Sequence, residues 1–559
     1  MVRIFIGLAI GAVLGLLVPS WTAVGNRKRK RTDRLCINTY HHNMKKISLF
    51  LLAGLFSLCA AGQDAFGIRP RHAAPSVLLD PIVDWDASRT YPQLVILIEY
   101  SDTVFSMPDP KTHYNRVLNE PGYNEGVGPG CAAEYLLAQS GGLFHVRFDV
   151  FGPFRVDLSA KHNTYPGNYG NNAKIAALDS LFAAFPDMDY NIYDWDGDNA
   201  IEQIVYICAG PGADQGHSYF VWPNTDNYPS FKKTPDGLSV AMHSITTEGT
   251  YASKYYSKWF GFGTLLHEYS HSLGLPDVYP TEGDNVNKFY SVADTWDLMD
   301  GGNLLNYGWC PPGYTAFEKM FLHWLTPVEL KSDTTITDML PVSEGGKAYL
   351  IRHTENEYLL LENRQQRGWD YAVPGRGLTV WHVAYDQEAW RTNNVNNEAN
   401  LRLHLYHADN LTYKDWKKRL KTSQAYADMS VFIQSAWLST SAYPWSTDTT
   451  DWVNDCLTET SVPALVMYNE NSHGSKSLGK RITNIRMAPD GAVSFTLETS
   501  PDTPAGMENT APYSLTDKAA DKAADKAPVT KKYLLNGVLY ILRGDRTYTL
   551  TGMEVQQNE

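Results

Sequence analysis

Nearly continuous apolar runs alternate with amphipathic segments through the first half of the chain. Leu94–Tyr100 and Gln203–Cys208 are such runs, which predicts strands buried on both faces of a sheet. His145–Val150 alternates polar and apolar residues, as a half-buried strand does. Ala173–Phe185 has the 3.6-residue period of an amphipathic helix, and Pro186 ends it. This alternation predicts an α/β domain built on a mixed sheet.

The pattern changes in the second half of the chain. Further helical segments are predicted at Cys131–Ser140, Trp259–Leu273 and Thr315–Trp324. Beyond Pro327 short strand-like pieces dominate: Ala348–Ile351, Tyr358–Glu362, Gly377–Val383 and Ala492–Leu497. We therefore expect a first domain at residues 63–335 and a mainly β domain at residues 336–499.

The carboxyl end divides into a linker and a short tail. Residues 500–530 contain the repeat DKAADKAADK, which offers nothing to bury and predicts a disordered linker. Residues 531–559 contain YLLNGVLYILRGDRTYTLTG, which predicts a small β tail with a hairpin around Gly544 and Asp545.

The amino end carries an export signal. After Met44, two lysines precede the apolar stretch Ile47–Leu58 and a run of small residues, which is the order of a secretory signal peptide with cleavage near Gly62. The alternative is a lipoprotein modified at Cys59. Upstream, Ile4–Val18 is apolar but its basic cluster follows it, the wrong order for a signal peptide. Either translation starts at Met44 and residues 1–43 are an extension, or these residues form a membrane anchor.

The net charge of the chain limits the kinds of molecule that it can be expected to bind. The chain carries −13, and without residues 1–62, which hold nine basic and one acidic residue, 39 basic and 60 acidic residues leave −21. A chain this acidic argues against nucleic-acid binding. It is compatible with calcium binding and with contact to a membrane only during export. Four cysteines follow the signal, with no C-x-x-C pair, so a cysteine-type zinc site is not expected, and zero, one or two disulfides remain open.

The pentapeptide HEYSH, residues 267–271, lies within the predicted helix Trp259–Leu273. Residues four apart share a helix face, so the imidazoles of His267 and His271 can reach one ion. Neutral imidazole is a good zinc ligand, and Glu268 is placed to act as general base on water.

The residues after the pentapeptide strengthen this prediction. Gly274 can end the helix in a left-handed conformation, and Leu275-Pro276 prevent it from resuming. The chain then turns, so that Asp277 can approach the ion from another direction as a third zinc ligand. The alternative is that Asp277 is only a turn residue. Downstream, Met299 in WDLMDGG resembles the Met-turn that lies beneath the metal in metzincin proteases, which implies a supporting role; the alternative is plain core packing.

These motifs together resemble one protease family. LLHEYSHSLGLPDVY, WDLMDGG and GWCPPGYTAFEKMFLHW are similar to segments of the M6 metalloproteases, the immune inhibitor A-like enzymes. LVILIEYSD, AAEYLLAQSGGLFHVRFDVFGPF, DWDGDNAIEQIVYICAG and LENRQQRGWDYAVPGRGLTVWHV extend the resemblance over about residues 90–500. The signal peptide and the tail NGVLYILRGDRTYTLTG resemble those of secreted proteins of Bacteroidales-type bacteria.

The resemblance implies a metzincin-like catalytic domain with a zinc-binding helix, and a secreted zinc endopeptidase that acts on protein or peptide substrates. The family's two His ligands, Asp ligand and Glu base correspond to His267, His271, Asp277 and Glu268. In some metzincins a tyrosine stabilises the oxyanion, for which the sequence offers Tyr279 and Tyr307.

A second candidate metal site precedes the apolar run Gln203–Cys208. In DWDGDNAIE, carboxylates at alternate positions resemble the first half of an EF-hand loop; the residues are Asp194, Asp196, Asp198 and Glu202. Position 12 of such a loop is Val205 rather than the usual bidentate Glu. The segment is therefore either a calcium loop completed by another carboxylate or an acidic turn.

Two other functions remain open from the sequence. One is a secreted binding or adhesion protein on an inactive protease scaffold, although Glu268 and the three candidate ligands are all present. The other is a zinc hydrolase of a non-peptide bond, which the same motif chemistry permits. No Gly-rich phosphate loop and no G-x-S-x-G elbow is present, which disfavours nucleotide and serine-hydrolase chemistry.

Overall fold

A computed structural model describes most of the chain between residues 78 and 500 and three short segments near its carboxyl end. The gaps are 83, 127, 163–169, 216, 218, 229–231, 254–255, 283–291, 411–440 and 447–452, and the later segments are 530–535, 538–543 and 546–549. The predicted upstream extension, the signal peptide and nearly all of the predicted linker lie outside the described residues.

The helices and strands follow the predicted alternation. The described helices are α1 (Pro110–Asn119), α2 (Ala132–Gln139), α3 (Asn171–Ala184), α4 (Gly263–Ser272), α5 (Ala316–Phe321) and α6 (Gln387–Arg391). The strands of the first half are β1 (Thr90–Glu99), β2 (His145–Arg155), β3 (Ala200–Cys208), β4 (Asn224–Asp226), β5 (Ser239–Thr247), β6 (Thr250–Ser253) and β7 (Tyr256–Trp259). No described helix is long and apolar enough to cross a bilayer.

Five of these strands form the first sheet, in the order β2-β1-β3-β5-β4. The pairs β1–β2, β1–β3 and β3–β5 are parallel, whereas the edge strand β4 is antiparallel to β5. The predicted mixed sheet is therefore confirmed. Alternate side chains of β1 face two different cores: Val95 and Leu97 pack with α1, α2 and α4, and Leu94 and Ile96 pack with α3.

The later strands form further sheets. They are β8 (Val328–Glu329), β9 (Thr334–Met339), β10 (Tyr349–Arg352), β11 (Glu357–Arg364), β12 (Gly377–Ala384), β13 (Leu403–Leu405), β14 (Trp445–Ser446), β15 (Val453–Asn454), β16 (Lys480–Met487) and β17 (Val493–Thr499). One sheet has the order β13-β12-β11-β10-β8, and another β16-β17-β9.

The sheet containing β11 and β12 contributes to two cores. Leu360 and Trp381 pack in the same core as α4, whereas Leu359 and Val380 pack in a second core with β9, β16 and β17. The part of the chain predicted as a β domain thus shares a hydrophobic core with the part that carries the HEYSH helix.

Chain contacts separate a second unit, Thr499–Glu559, from residues up to Glu498. It contains β18 (Thr530–Leu535), β19 (Val538–Arg543) and β20 (Arg546–Thr549), each antiparallel to the next. The antiparallel pair β19–β20 spans the predicted hairpin, whose central residues Gly544 and Asp545 lie outside the described residues, and β18 precedes that pair.

Two predicted helix boundaries were wrong. The helix predicted from Trp259 begins at Gly263, and Trp259 ends a strand instead. A side chain at Gly261 or Gly263 would lie within 2.3 Å of the backbone around Gly308 and Asn303, so close backbone packing fixes where the helix begins. The helix predicted to reach Trp324 ends at Phe321.

Candidate metal centre

Helix α4 carries the HEYSH segment and ends as the sequence predicts. Gly274 has a φ of 98°, in the left-handed region. Its N–H donates to the His271 carbonyl at 3.0 Å, and the Leu275 N–H donates to the Ser270 carbonyl at 3.1 Å. A Cβ at Gly274 would lie 2.7 Å from the Leu79 carbonyl oxygen, so glycine is required there for space as well as for conformation.

The turn after α4 brings the three predicted ligands together. Potential ligand atoms of His267, His271 and Asp277 all lie within 4.8 Å of one another. Asp277 Oδ1 is 3.1 Å from His267 Nε2 and 3.5 Å from His271 Nε2. Atoms about 2.0–2.1 Å from a tetrahedral zinc ion are roughly 3.3 Å apart, so these separations suit a shared ion. All three side chains are buried, with at most 1% of each residue exposed.

Backbone carbonyls orient both imidazoles. His267 Nδ1 lies 2.8 Å from the Leu298 carbonyl oxygen, and His271 Nδ1 lies 2.8 Å from that of Leu275. A carbonyl can only accept, so each Nδ1 carries a proton and each Nε2 faces Asp277, where it can bind a metal once it has given up any proton of its own. This is the usual arrangement of histidines that bind a metal. The donor set, two imidazole nitrogens and a carboxylate oxygen, fits zinc.

The charge of Asp277 acts on the neighbouring histidine. Burial alone would lower the pKa of His267, but its hydrogen bond and ion pair with Asp277 outweigh burial and raise the pKa to about 9. The carboxylate thus favours positive charge at this position in the core.

Glu268 points toward the edge strand of the sheet. Thr225 of β4 donates its hydroxyl at 3.1 Å to Glu268 Oε2 and lies 2.7 Å from the Glu268 carbonyl oxygen. Burial raises the pKa of Glu268 above its ordinary value, and the neighbouring histidines oppose that rise. A carboxyl group with a raised pKa is a stronger base than an ordinary carboxylate, which suits a group that takes a proton from water.

The turn at Met299 supports the ligand loop through its backbone. Met299 is fully buried, and its carbonyl oxygen accepts the Val278 N–H at 2.9 Å. The ring of Tyr279 stacks near that of His267, with centroids 6.5 Å apart. Tyr307 packs on Phe260 instead, with centroids 6.2 Å apart. Of the two predicted tyrosines, only Tyr279 therefore has a ring contact with a candidate ligand.

The second predicted site is partly assembled. Asp194, Asp196 and Glu202 form a group whose ligand atoms lie within 4.8 Å of one another, and Asp198 is outside it. Asp194 also accepts the N–H groups of Gly197 and Asn199 at 2.7 and 3.0 Å, as an acidic turn would. Burial raises the pKa of Glu202 to about 8. The structure is therefore compatible both with a calcium loop and with an acidic turn in this segment.

Several residues near the centre have no local sequence signal. Asn393, in the segment after α6, donates through Nδ2 to Asp277 Oδ2 at 2.7 Å and accepts the Asp277 N–H at 2.6 Å. Thr225 lies 43 residues from Glu268 along the chain. Burial and the charge of Glu268 raise the pKa of Asp214 to about 7. None of these belongs to a motif.

The four cysteines, Cys131, Cys208, Cys310 and Cys456, form no disulfide within the described residues.

Comparison with known proteins gives distant similarity to metalloproteases. The chain is 24% identical over 321 residues to the pre-pro-metalloprotease PrtV of Vibrio cholerae, covering 50% of this chain and 34% of PrtV. It is 25% identical over 294 residues to immune inhibitor A of Bacillus thuringiensis, covering 42% of this chain and 41% of that protein. The chain thus spans between a third and about two fifths of these relatives' lengths. No family model matches it.

These similarities support a metalloprotease-like protein. The similarity to immune inhibitor A supports the expected resemblance to immune inhibitor A-like enzymes at the level of distant similarity. Neither relative gives support to a Bacteroidales-type source.

Proposed function

We propose that the chain is a zinc-dependent endopeptidase, with His267, His271 and Asp277 as zinc ligands and Glu268 as general base. The observation that carries the proposal is the convergence of both Nε2 atoms and Asp277 Oδ1 beside a buried glutamate on the same helix. The distant metalloprotease relatives support a hydrolase of this class.

Zinc, when bound, supplies Lewis-acid polarisation of the scissile carbonyl and lowers the pKa of water. The chain's own contribution is the proton transfer. Glu268 Oε2, oriented by Thr225, takes a proton from water and returns it to the leaving amine. Tyr279, whose ring stacks near that of His267, is the tyrosine that we propose donates to the developing oxyanion.

The burial of the centre has a consequence for substrate entry. Glu268 is 1% exposed, so a peptide reaches it only when the segments that cover it move. Strand β4 is the edge strand of the sheet and carries Thr225, which places the reacting groups beside an edge strand whose residues Asn224 and Thr225 are themselves 1% exposed. We propose that protein or peptide substrates enter along this side.

We propose that the protein is exported. The predicted signal peptide after Met44 supports a secreted, cell-surface or periplasmic location. We also propose that Asp194, Asp196 and Glu202 bind calcium, which their grouping supports. Extracellular calcium is abundant enough for such sites.

The test compares the purified wild-type protein with Glu268→Ala and His271→Ala for zinc content and for cleavage of casein. We expect zinc in the wild type and in Glu268→Ala, little zinc in His271→Ala, and cleavage by the wild type alone. Zinc in none of them would refute the site. Zinc in the wild type without cleavage of casein would contradict the proposed endopeptidase activity.

A further inference from the structure

A residue from the β-rich part of the chain holds the candidate third ligand. We infer that Asn393 is a positioning residue for the metal centre, fixing the Asp277 carboxylate so that one oxygen faces the two histidines. This inference rests on the proposed zinc function and deepens it, because it assigns a role to a residue 116 positions away from the ligand.

The contact between the two residues is a two-point hydrogen bond. Asn393 Nδ2 donates to Asp277 Oδ2 at 2.7 Å, and Asn393 Oδ1 accepts the Asp277 N–H at 2.6 Å. A carboxylate can only accept and a backbone N–H can only donate, so the amide has one orientation. Since Oδ2 is engaged by the amide, Oδ1 is the oxygen that lies 3.1 and 3.5 Å from the imidazole Nε2 atoms.

The backbone around Asn393 is itself fixed. Its φ is 56°, and it follows the last turn of α6 as a left-handed helix cap. The Asn394 N–H donates to the Ala389 carbonyl at 2.7 Å and the Asn393 N–H to the Trp390 carbonyl at 3.2 Å, which is a Schellman motif. Trp390 is 1% exposed and anchors the helix in the shared core. Asparagine tolerates the left-handed conformation and carries the amide, so one residue serves both purposes.

Neighbouring asparagines hold the rest of the ligand loop. Asn396 Nδ2 donates to the Val278 carbonyl at 2.6 Å, and Asn397 Oδ1 accepts the Thr281 N–H at 2.8 Å. The Thr281 hydroxyl donates to the Asn393 carbonyl at 3.0 Å. The loop from Asp277 to Thr281 is therefore bound along its length, and of these three asparagines it is Asn393 that donates to the Asp277 carboxylate. This difference allows positioning of the ligand to be separated from stability of the loop.

The experiment measures the zinc dissociation constant by competition with a chromophoric chelator, and the melting temperature of the metal-free protein. Asn393→Gly removes the amide and keeps the left-handed backbone unstrained. Asn393→Asp keeps the shape but places a second carboxylate against Asp277. Thr281→Val is the matched control, since it weakens the same loop without touching the carboxylate.

We expect Asn393→Gly to bind zinc about 10- to 100-fold more weakly than wild type, as for other residues that orient a ligand. Asn393→Asp should bind zinc more weakly than Asn393→Gly at neutral pH, because two carboxylates then face each other. Thr281→Val should keep nearly wild-type affinity even where its melting temperature falls.

Two results would overturn the inference. Unchanged zinc affinity in Asn393→Gly would show that the amide does not position the ligand. Equal losses of zinc affinity in Asn393→Gly and Thr281→Val would show that zinc binding depends only on the stability of the loop. A wild-type protein that takes up no zinc would instead refute the proposed function, and the inference with it.

Discussion

A buried pair of carboxyl groups beneath the metal centre should make the protein less stable as pH rises. Asp297 and Glu318 are 0% and 1% exposed, and their carboxyl groups influence each other's ionisation. Burial raises the pKa of Glu318 from 4.5 to about 7 and that of Asp297 well above its ordinary value. The pair therefore keeps a proton at a pH where the unfolded chain has lost it. Asp297 Oδ1 also accepts the Met299 N–H at 2.7 Å, which links the pair to the turn that supports the ligand loop.

The size of the effect follows from the shift of Glu318. A rise from 4.5 to about 7 corresponds to roughly 3 kcal/mol of folding free energy, lost as pH rises across that interval. The maximum slope is about 1.4 kcal/mol per pH unit for one proton. Asp297→Asn supplies a permanent donor to Glu318 and retains an acceptor for the Met299 N–H. The variant removes the raised pKa of Asp297, whereas the burial that raises the pKa of Glu318 remains, so the slope should flatten without disappearing.

The assay is thermal or urea unfolding of wild type and Asp297→Asn between pH 5 and pH 8. Glu202 and Asp214 also have raised pKa values, about 8 and 7. They too make the folded protein less stable as pH rises, and they do so in wild type and in Asp297→Asn alike. Only the difference between the two profiles is diagnostic. Asp187→Asn, at an exposed position, controls for the loss of one carboxyl group. Parallel profiles for wild type and Asp297→Asn would refute the shared-proton argument.

Three further predictions address the site and its surroundings. Thr225→Val should lower kcat about tenfold with zinc affinity unchanged, because Glu268 loses the hydroxyl that orients it; an unchanged kcat in steady-state assays would refute this role. Gly274→Ala should destabilise the protein by about 1–3 kcal/mol, because a left-handed φ and a 2.7 Å approach to Leu79 both oppose a Cβ; a melting temperature equal to wild type would contradict this. Added Ca²⁺ should raise the melting temperature of wild type but not of Asp196→Asn, and equal shifts would favour the acidic turn.

The sequence predicts the local parts of this structure well, because its strongest signals are local. The apolar run at Leu94 indicates a central strand since both faces of that strand are buried. The spacing of His267 and His271 indicates one helix face, and Gly274 indicates the turn that follows. These inferences need only periodicity and the conformational freedom of glycine.

The parts that the sequence did not predict depend on contacts between distant residues. The beginning of α4 at Gly263 depends on packing against the backbone of Asn303. The strand β4 is three residues long and polar, NTD, so no hydrophobic pattern marks it, yet it supplies Thr225. Asn393 lies in an asparagine-rich stretch that reads as a loop, and nothing near it indicates Asp277 as its partner. Single-sequence patterns do not encode such pairs.

The arrangement around Asp277 changes how the β-rich part of the chain should be regarded. Its sheet contributes Leu360 and Trp381 to the core that contains α4, and its helix α6 ends at the asparagine that holds Asp277. A helix alone can present two histidines, but a third ligand on a loop needs an external partner to fix its carboxylate. In this chain that partner comes from beyond residue 336. A fragment that ends at the predicted domain boundary would keep the HEYSH motif and lose the support of the third ligand, so it should bind zinc more weakly than the longer chain.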